Sequence, residues 1–241
     1  MSRVPILCYH NIGSAPAHSR FKLLDVTPEK LAQQLWILRR LGLRGVSLSE
    51  GMSQLQGDRR GSKLVVLTFD DGYADTLTEA LPVLREYGCT ATCYLVSSAM
   101  GTYNSWDCEL LEERKPLMTR QQVVQWLAAG MEIGSHSCSH PRLHQLDASA
   151  AEQEIVTSRD ALRTSFGVPV DHFAYPFGSF NDATIALVRR AGYRSAVSVA
   201  PGVATAADDP YRLPRFLVNG EQGWARHLLR IARAYHARLD G

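Results

Sequence analysis

Asp70 and Asp71 stand side by side in Thr68-Phe69-Asp70-Asp71-Gly72, and His136 and His140 stand four residues apart in His136-Ser137-Cys138-Ser139-His140. Adjacent carboxylates repel and lose hydration when buried, so they are tolerated where a cation, a proton or a substrate separates their roles. One carboxylate and two imidazoles make a three-ligand metal site with room for water, which is the composition of a hydrolytic zinc centre. A second carboxylate beside such a centre, close to the ion without binding it, is placed to take a proton from that water.

The elements around these residues alternate between short apolar runs and helical patterns. Pro5-Ile6-Leu7-Cys8-Tyr9 reads as a strand that ends at His10. Leu64-Val65-Val66-Leu67 is an apolar run, the signature of a buried parallel strand, and the strand read over Lys63–Phe69 ends at the two aspartates. Leu43–Ser47, Thr90–Val96, Met131–Gly134, His172–Tyr175, Arg194–Val199 and Pro214–Val218 read as further strands. Capping residues and terminal glycines bound helices over 28–41, 76–87, 119–129, 148–166 and 181–191. A closing helix over Glu221–Leu239 carries Trp224, Leu228, Ile231 and Tyr235 on one stripe. Residues 97–116 have no clean period and read as a functional or variable loop.

Seven or eight strands separated by helices, with no linker, imply a single domain over 1–241 built on a mostly parallel sheet. The leading architecture is α/β, a distorted (β/α) barrel with about seven parallel strands. An open doubly wound sheet is the alternative, although no glycine-rich dinucleotide fingerprint follows the first strand. In a parallel barrel the strand ends converge on one rim, which would gather His10, Asp70, Asp71, His136 and the turn Tyr175-Pro176-Phe177-Gly178. Gly134, the two serines and Pro141 favour a strand-to-loop setting over a helix for the histidine pair. Histidines elsewhere, such as His18, His172, His227 and His236, read as structural.

Bulk properties exclude several classes. The chain of 241 residues is 45% hydrophobic with a formal net charge of +2, and its charges are interspersed, so there is no electrostatic case for nucleic acid. No segment approaches the length of a bilayer span, and the apolar stretch at the start is too short for a signal peptide, which leads to the expectation of a cytoplasmic protein. Five scattered cysteines are expected to be free, ordinary thiols.

The motifs carry a family resemblance. Thr68-Phe69-Asp70-Asp71-Gly72, His136-Ser137-Cys138-Ser139-His140 and Phe173-Ala174-Tyr175-Pro176-Phe177-Gly178, in that order, resemble the first three motifs of the polysaccharide deacetylases, carbohydrate esterase family 4, or NodB-homology domain. Ile6-Leu7-Cys8-Tyr9-His10-Asn11-Ile12 is similar to the opening of the poly-N-acetylglucosamine deacetylase branch, and the likeness runs from residue 4 to about 218. It implies a distorted (β/α) barrel and metal-dependent removal of acetyl groups from N-acetylated sugars. On this resemblance Asp71, His136 and His140 would bind the metal and Asp70 would be the general base. The amide of Phe177, in the turn formed with Tyr175, Pro176 and Gly178, would help hold the oxyanion.

The chain departs from the family pattern at two points. Ala174 occupies the place where many members carry an arginine that orients the base, and Arg215 in Leu213-Pro214-Arg215-Phe216 is the candidate substitute. A Leu-x-His motif, where many members keep their general acid, is missing near the carboxyl end. His10 is the candidate for that role and His144 the second. A proton donor is needed because an amide anion is too basic to be expelled. Tyr9, Tyr73, Tyr175, Phe177 and Trp106 are available either for stacking on a sugar or for core packing. The expected cofactor is one divalent metal ion, zinc by default, although the ligand set can also hold cobalt, nickel or iron. The expected substrate is an N-acetylhexosamine unit of a saccharide, glycolipid or polysaccharide precursor. The rivals are hydrolysis of a non-sugar amide or cyclic imide, and a degenerate carbohydrate-binding protein.

Overall fold

The computed structural model describes residues 2–14, 24–57 and 63–220. The expected closing helix over Glu221–Leu239 lies outside the described residues, as do His18, His227 and His236. In chain order the strands are β1 (Arg3–Val4), β2 (Ile6–Tyr9), β3 (Asn11–Ile12), β4 (Asp25–Val26), β5 (Arg44–Val46), β6 (Leu64–Phe69), β7 (Thr92–Leu95), β8 (Glu132–Ser135), β9 (His172–Ala174), β10 (Ser195–Val197), β11 (Ala204–Thr205) and β12 (Phe216–Leu217). The α-helices are α1 (Pro28–Arg40), α2 (Leu48–Leu55), α3 (Leu81–Glu86), α4 (Cys108–Leu111), α5 (Arg120–Ala128), α6 (Ala148–Phe166) and α7 (Asp182–Arg190).

The main sheet runs β10-β9-β8-β7-β6-β2-β12, and every pairing in it is parallel. Strand β6 lies inside the sheet, paired on one side with β2, where Tyr9 faces Phe69. Its other side is shared, with β5 beside Leu64–Val66 and β7 beside Thr68–Phe69. Residues 213–217 join the two outer strands. The Leu213 N–H donates to Ala196 O and the Arg215 N–H to Ala200 O, beside β10, while Phe216 and Leu217 pair with β2. The sheet is therefore curled into the distorted (β/α) barrel expected from the alternation of elements. Two small extra pairings, β1 with β11 and β3 with β4, were not signalled by any run long enough to read as a strand.

The pleat sorts the side chains. Leu7, Tyr9, Val65, Leu67 and Phe69 pack in the larger core, against the helices. Ile6, Leu64 and Val66 join Tyr94, Ala174, Val197 and Leu213 in a second core, on the opposite face of the sheet. Side chains alternate with a period of two, so Cys8 and His10 continue the row of Ile6, and Thr68 and Asp70 continue that of Leu64 and Val66. The row is apolar at the amino end and polar at the carboxyl end.

Helix starts follow the caps expected of them. Thr27, Thr119, Asp147 and Asn181 each accept a backbone N–H of the first turn. The helix expected over 76–87 is instead a π-turn, Thr76–Ala80, followed by α3. Pro82 has no N–H to give to the ladder and its ring crowds the carbonyl four residues back, so the turn before it widens and Leu81 N–H reaches Thr76 O. Helix α2 was not expected from the sequence. Gly51 in its middle is required there, since a Cβ would lie 2.2 Å from Val66 Cγ2. Among the described residues, no helix is long and apolar enough to cross a membrane.

Candidate active site

Asp70 extends the inward row of β6, and Asp71 turns the chain away in the left-handed region at φ 72, followed by Gly72 at φ 77. Among the described residues five non-glycine positions have positive φ, and four of them, Asp71, Ser137, His140 and Phe177, lie in the three motifs. Such backbone is costly for a residue with a Cβ and persists where the surroundings enforce it, which is characteristic of functional turns.

The surroundings here are specific. Ser137 Oγ accepts the His140 N–H at 3.0 Å, and one oxygen of Glu154, on α6, accepts the N–H groups of Cys138 and Ser139 at 2.9 Å each. From the other side, Ser97 N–H and Ser98 N–H donate to the Ser137 and Cys138 carbonyls. Ser137 and Ser139 are thus turn-forming residues, as expected.

Asp71, His136 and His140 are buried, and their side chains converge. Asp71 Oδ1 is 3.4 Å from His136 Nε2 and 3.3 Å from His140 Nε2, and the two Nε2 atoms are 3.2 Å apart. His136 Nδ1 lies 2.8 Å from Ala174 O, so it carries the proton and donates, leaving Nε2 as a bare lone pair. Buried Asp71 Oδ1 has no hydrogen-bond partner. The Asp71 oxygen and the two imidazole nitrogens converge on one point, an arrangement able to hold a cation. Ligands about 2.0–2.2 Å from a tetrahedral ion sit about 3.3–3.6 Å from one another, which is close to the separations of this trio. These residues therefore fit a divalent metal ion. Burial alone would raise the Asp71 pKa, but the two imidazoles dominate and hold it well below the usual carboxylate range.

Asp70 is not one of that trio and is gripped by Arg215. Nη1 is 2.7 Å from Oδ1 and Nη2 is 2.7 Å from Oδ2, with Nη1 also donating to Thr68 Oγ1. Arg215 is fully buried, and its Nε donates to Ser198 O. Burial pushes the Asp70 pKa up, but the guanidinium overrides it and holds the group at about 2. Cys8 Sγ lies 3.4 Å from Asp70 Oδ2. A ring nitrogen of His10, the Cys8 sulfur and an Asp70 oxygen all lie within 4.8 Å of one another. His10 Nδ1 is buried without a partner.

The mouth is walled by aromatic rings. Trp106 stacks on His140 with centroids 4.5 Å apart, Phe177 meets the same imidazole edge-on at 4.5 Å, and the Arg142 guanidinium covers Phe177 at 4.2 Å. Phe177 is 41% exposed. Trp106 comes from the loop 97–116, which is tied together by Asn104. That side chain donates to Asp107 and to the Glu113 carbonyl, and accepts the Lys115 N–H.

A family model described as polysaccharide deacetylase matches residues 57–196, more than half of the chain. The chain belongs to the polysaccharide deacetylase family. Among curated relatives of the family, YxkH of Bacillus subtilis, provisionally named a polysaccharide deacetylase, is 28% identical over 219 residues, 90% of this chain and 72% of the relative. The poly-β-1,6-N-acetyl-D-glucosamine N-deacetylase of Staphylococcus epidermidis is 25% identical over 203 residues, covering 83% of this chain and 70% of that one. The structure of the Streptococcus pyogenes deacetylase PplD in complex with acetate superposes with a TM-score of 0.80 at 26% identity, covering 95% of this chain and 98% of the other.

Within this polysaccharide deacetylase, the structure brings together Asp70, Asp71, His10, His136, His140, Phe177 and Arg215. It corrects the expectation for Tyr175, whose ring is fully buried, with the hydroxyl donating to Tyr211 O, so it cannot stack on a ligand. Tyr9 and Tyr73 are likewise core residues. Pro176 is buried in the turn, and Gly178 is needed there because a Cβ would lie 2.1 Å from Val199 Cγ2. His144 is exposed, with Nδ1 2.6 Å from Ser179 Oγ. His172 sits at the opposite end of the sheet between Ser49 and Ser195, a structural position. The five cysteines are free, as expected. Two residues were missed. Cys8 was read as an ordinary buried thiol, although it stands two positions before His10 on an alternating strand. Glu154 gave no signal, since its partners lie 15 and 16 positions away.

Proposed function

We propose that the protein is a metal-dependent N-deacetylase that releases acetate from N-acetylhexosamine units of a saccharide of the poly-β-1,6-N-acetylglucosamine type. The observation that carries this reading is the division of labour between adjacent aspartates. Asp71 converges with two imidazoles, whereas Asp70 is paired with Arg215, which holds it ionised. A pure binding protein has little use for a second buried carboxylate with its own buried arginine.

Asp71 Oδ1, His136 Nε2 and His140 Nε2 would hold the cation. A divalent ion there supplies Lewis acidity, polarising the amide carbonyl and making water a stronger acid. Asp70 accepts a proton from the attacking water, a task for which it must be ionised, and Arg215 keeps it so. The Phe177 N–H, presented by its left-handed turn, donates to the oxygen that becomes negative, a contribution on the order of 3 kcal/mol. His10, on the neighbouring strand end, gives a proton to the departing amine. Trp106 and Phe177 flank His140 and supply apolar surface beside it for a sugar ring.

The test is acetate release from β-1,6-linked N-acetylglucosamine oligomers, from other N-acetylated saccharides and from small amides, with Asp70→Asn as the control. Release from the sugars that is abolished in Asp70→Asn is expected. Release from the small amides alone would assign the chain to non-sugar amide hydrolysis.

A further inference from the structure

We propose that Cys8 is a positioning residue for the general base, occupying the second lone pair of Asp70 Oδ2 so that Oδ1 is the one atom left to take the proton from water. The inference rests on the reading of Asp70 as base, and it comes from counting acceptor sites. An ionised carboxylate offers about four lone-pair positions, two on each oxygen. Arg215 Nη1 takes one on Oδ1 and Nη2 takes one on Oδ2. Cys8 Sγ, 3.4 Å from Oδ2, takes another. One position remains, and it is on Oδ1.

The assignment of donor and acceptor is fixed by charge. A carboxylate cannot donate, so the thiol must. Burial, and the Asp70 charge beside it, hold the Cys8 pKa well above the ordinary thiol range, so the proton stays on sulfur. Cys8 is fully buried, and its sulfur, a His10 ring nitrogen and an Asp70 oxygen lie within 4.8 Å of one another. A thiol there fills the space between base and acid with a group that neither accepts the base's proton nor supplies one to the leaving amine. In the step itself the water O–H bond breaks, its proton goes to Asp70 Oδ1, the oxygen's electron pair forms the bond to the carbonyl carbon, and the carbonyl π pair moves onto its oxygen. Without Cys8, Oδ2 regains an open lone pair and the carboxylate loses one of three donors that fix its plane.

The experiment compares Cys8→Ser, which keeps a donor, with Cys8→Val, which is apolar and offers none. Hydrolysis of 4-methylumbelliferyl acetate and of a β-1,6-linked N-acetylglucosamine pentamer is measured beside metal content and melting temperature. A positioning role predicts that Ser retains kcat within about threefold, and that Val loses roughly tenfold or more in kcat with KM and metal content unchanged. A packing role predicts the reverse order, because a fully buried site in a sheet tolerates Val better than Ser. Val with wild-type kcat, or Ser worse than Val, overturns the proposal. An Asp70→Asn variant run in parallel separates the two layers. If it keeps full activity, the base assignment itself fails. If it is inactive while Cys8→Val is unaffected, only the role of Cys8 fails.

Discussion

The Arg215 guanidinium meets the Asp70 carboxylate as a two-pronged pair, Nη1 to Oδ1 and Nη2 to Oδ2, both at 2.7 Å and both buried. The arginine arrives from residues 213–217, the segment that joins β10 to β2, so the closure of the barrel and the ionisation of Asp70 depend on the same stretch of chain.

Arg215→Ala should lower kcat by about 10²-fold or more and destabilise the fold by about 3–5 kcal/mol, because it strands a buried charge. Arg215→Lys keeps the charge but not the fork, and should recover only part of either loss. Steady-state kinetics with metal content and urea unfolding check this. An unchanged rate in Arg215→Ala would remove Arg215 from the account.

His10 should matter in proportion to how badly the leaving group needs a proton. His10→Ala is expected to cost about 10²–10⁴-fold on an N-acetylated sugar and under about tenfold on 4-methylumbelliferyl acetate, whose phenolate leaves unaided. Equal losses on both substrates would show that His10 acts on binding or folding rather than as the acid.

Asp75 provides a pH test of stability. Burial raises its pKa to about 7, against the opposing influence of the Ile12 N–H and Lys115. The folded protein therefore binds a proton that the unfolded chain releases near pH 4, and stability falls as pH rises from about 4 to 7. Asp75→Asn removes that loss. It should stabilise the protein by on the order of 1–3 kcal/mol at pH 8 and by little at pH 4, read from urea unfolding at both values. An effect independent of pH would contradict the assignment.

The convergence of Asp71, His136 and His140, with Asp70 beside them, was legible in the sequence because the motifs follow strands whose apolar pattern is clear, and a parallel sheet brings such ends to one rim. Arg215 was reachable by a subtler route. The third motif has Ala174 where an arginine was expected, and a base needs a partner, so a substitute had to come from another strand. Tyr175 was open to either stacking or core packing because Phe177, two residues on in the same turn, is exposed beside His140. The pleat sends its own ring into the core, and a turn sequence does not reveal which way each side chain points. Helix α2 was hidden by Gly51, which lowers helix propensity and yet is demanded by the close approach to Val66. Glu154 was invisible because its function is defined by a contact across 15 and 16 residues of chain.

The most direct test of the central claim is metal stoichiometry coupled to acetate release from a β-1,6-linked N-acetylglucosamine pentamer, for the wild type and for His140→Ala. About one equivalent of a divalent ion is expected in the wild type, with activity lost on chelation and restored by zinc or cobalt, and neither tight metal nor acetate release in His140→Ala. Full acetate release from metal-free protein, or from His140→Ala, would contradict that claim.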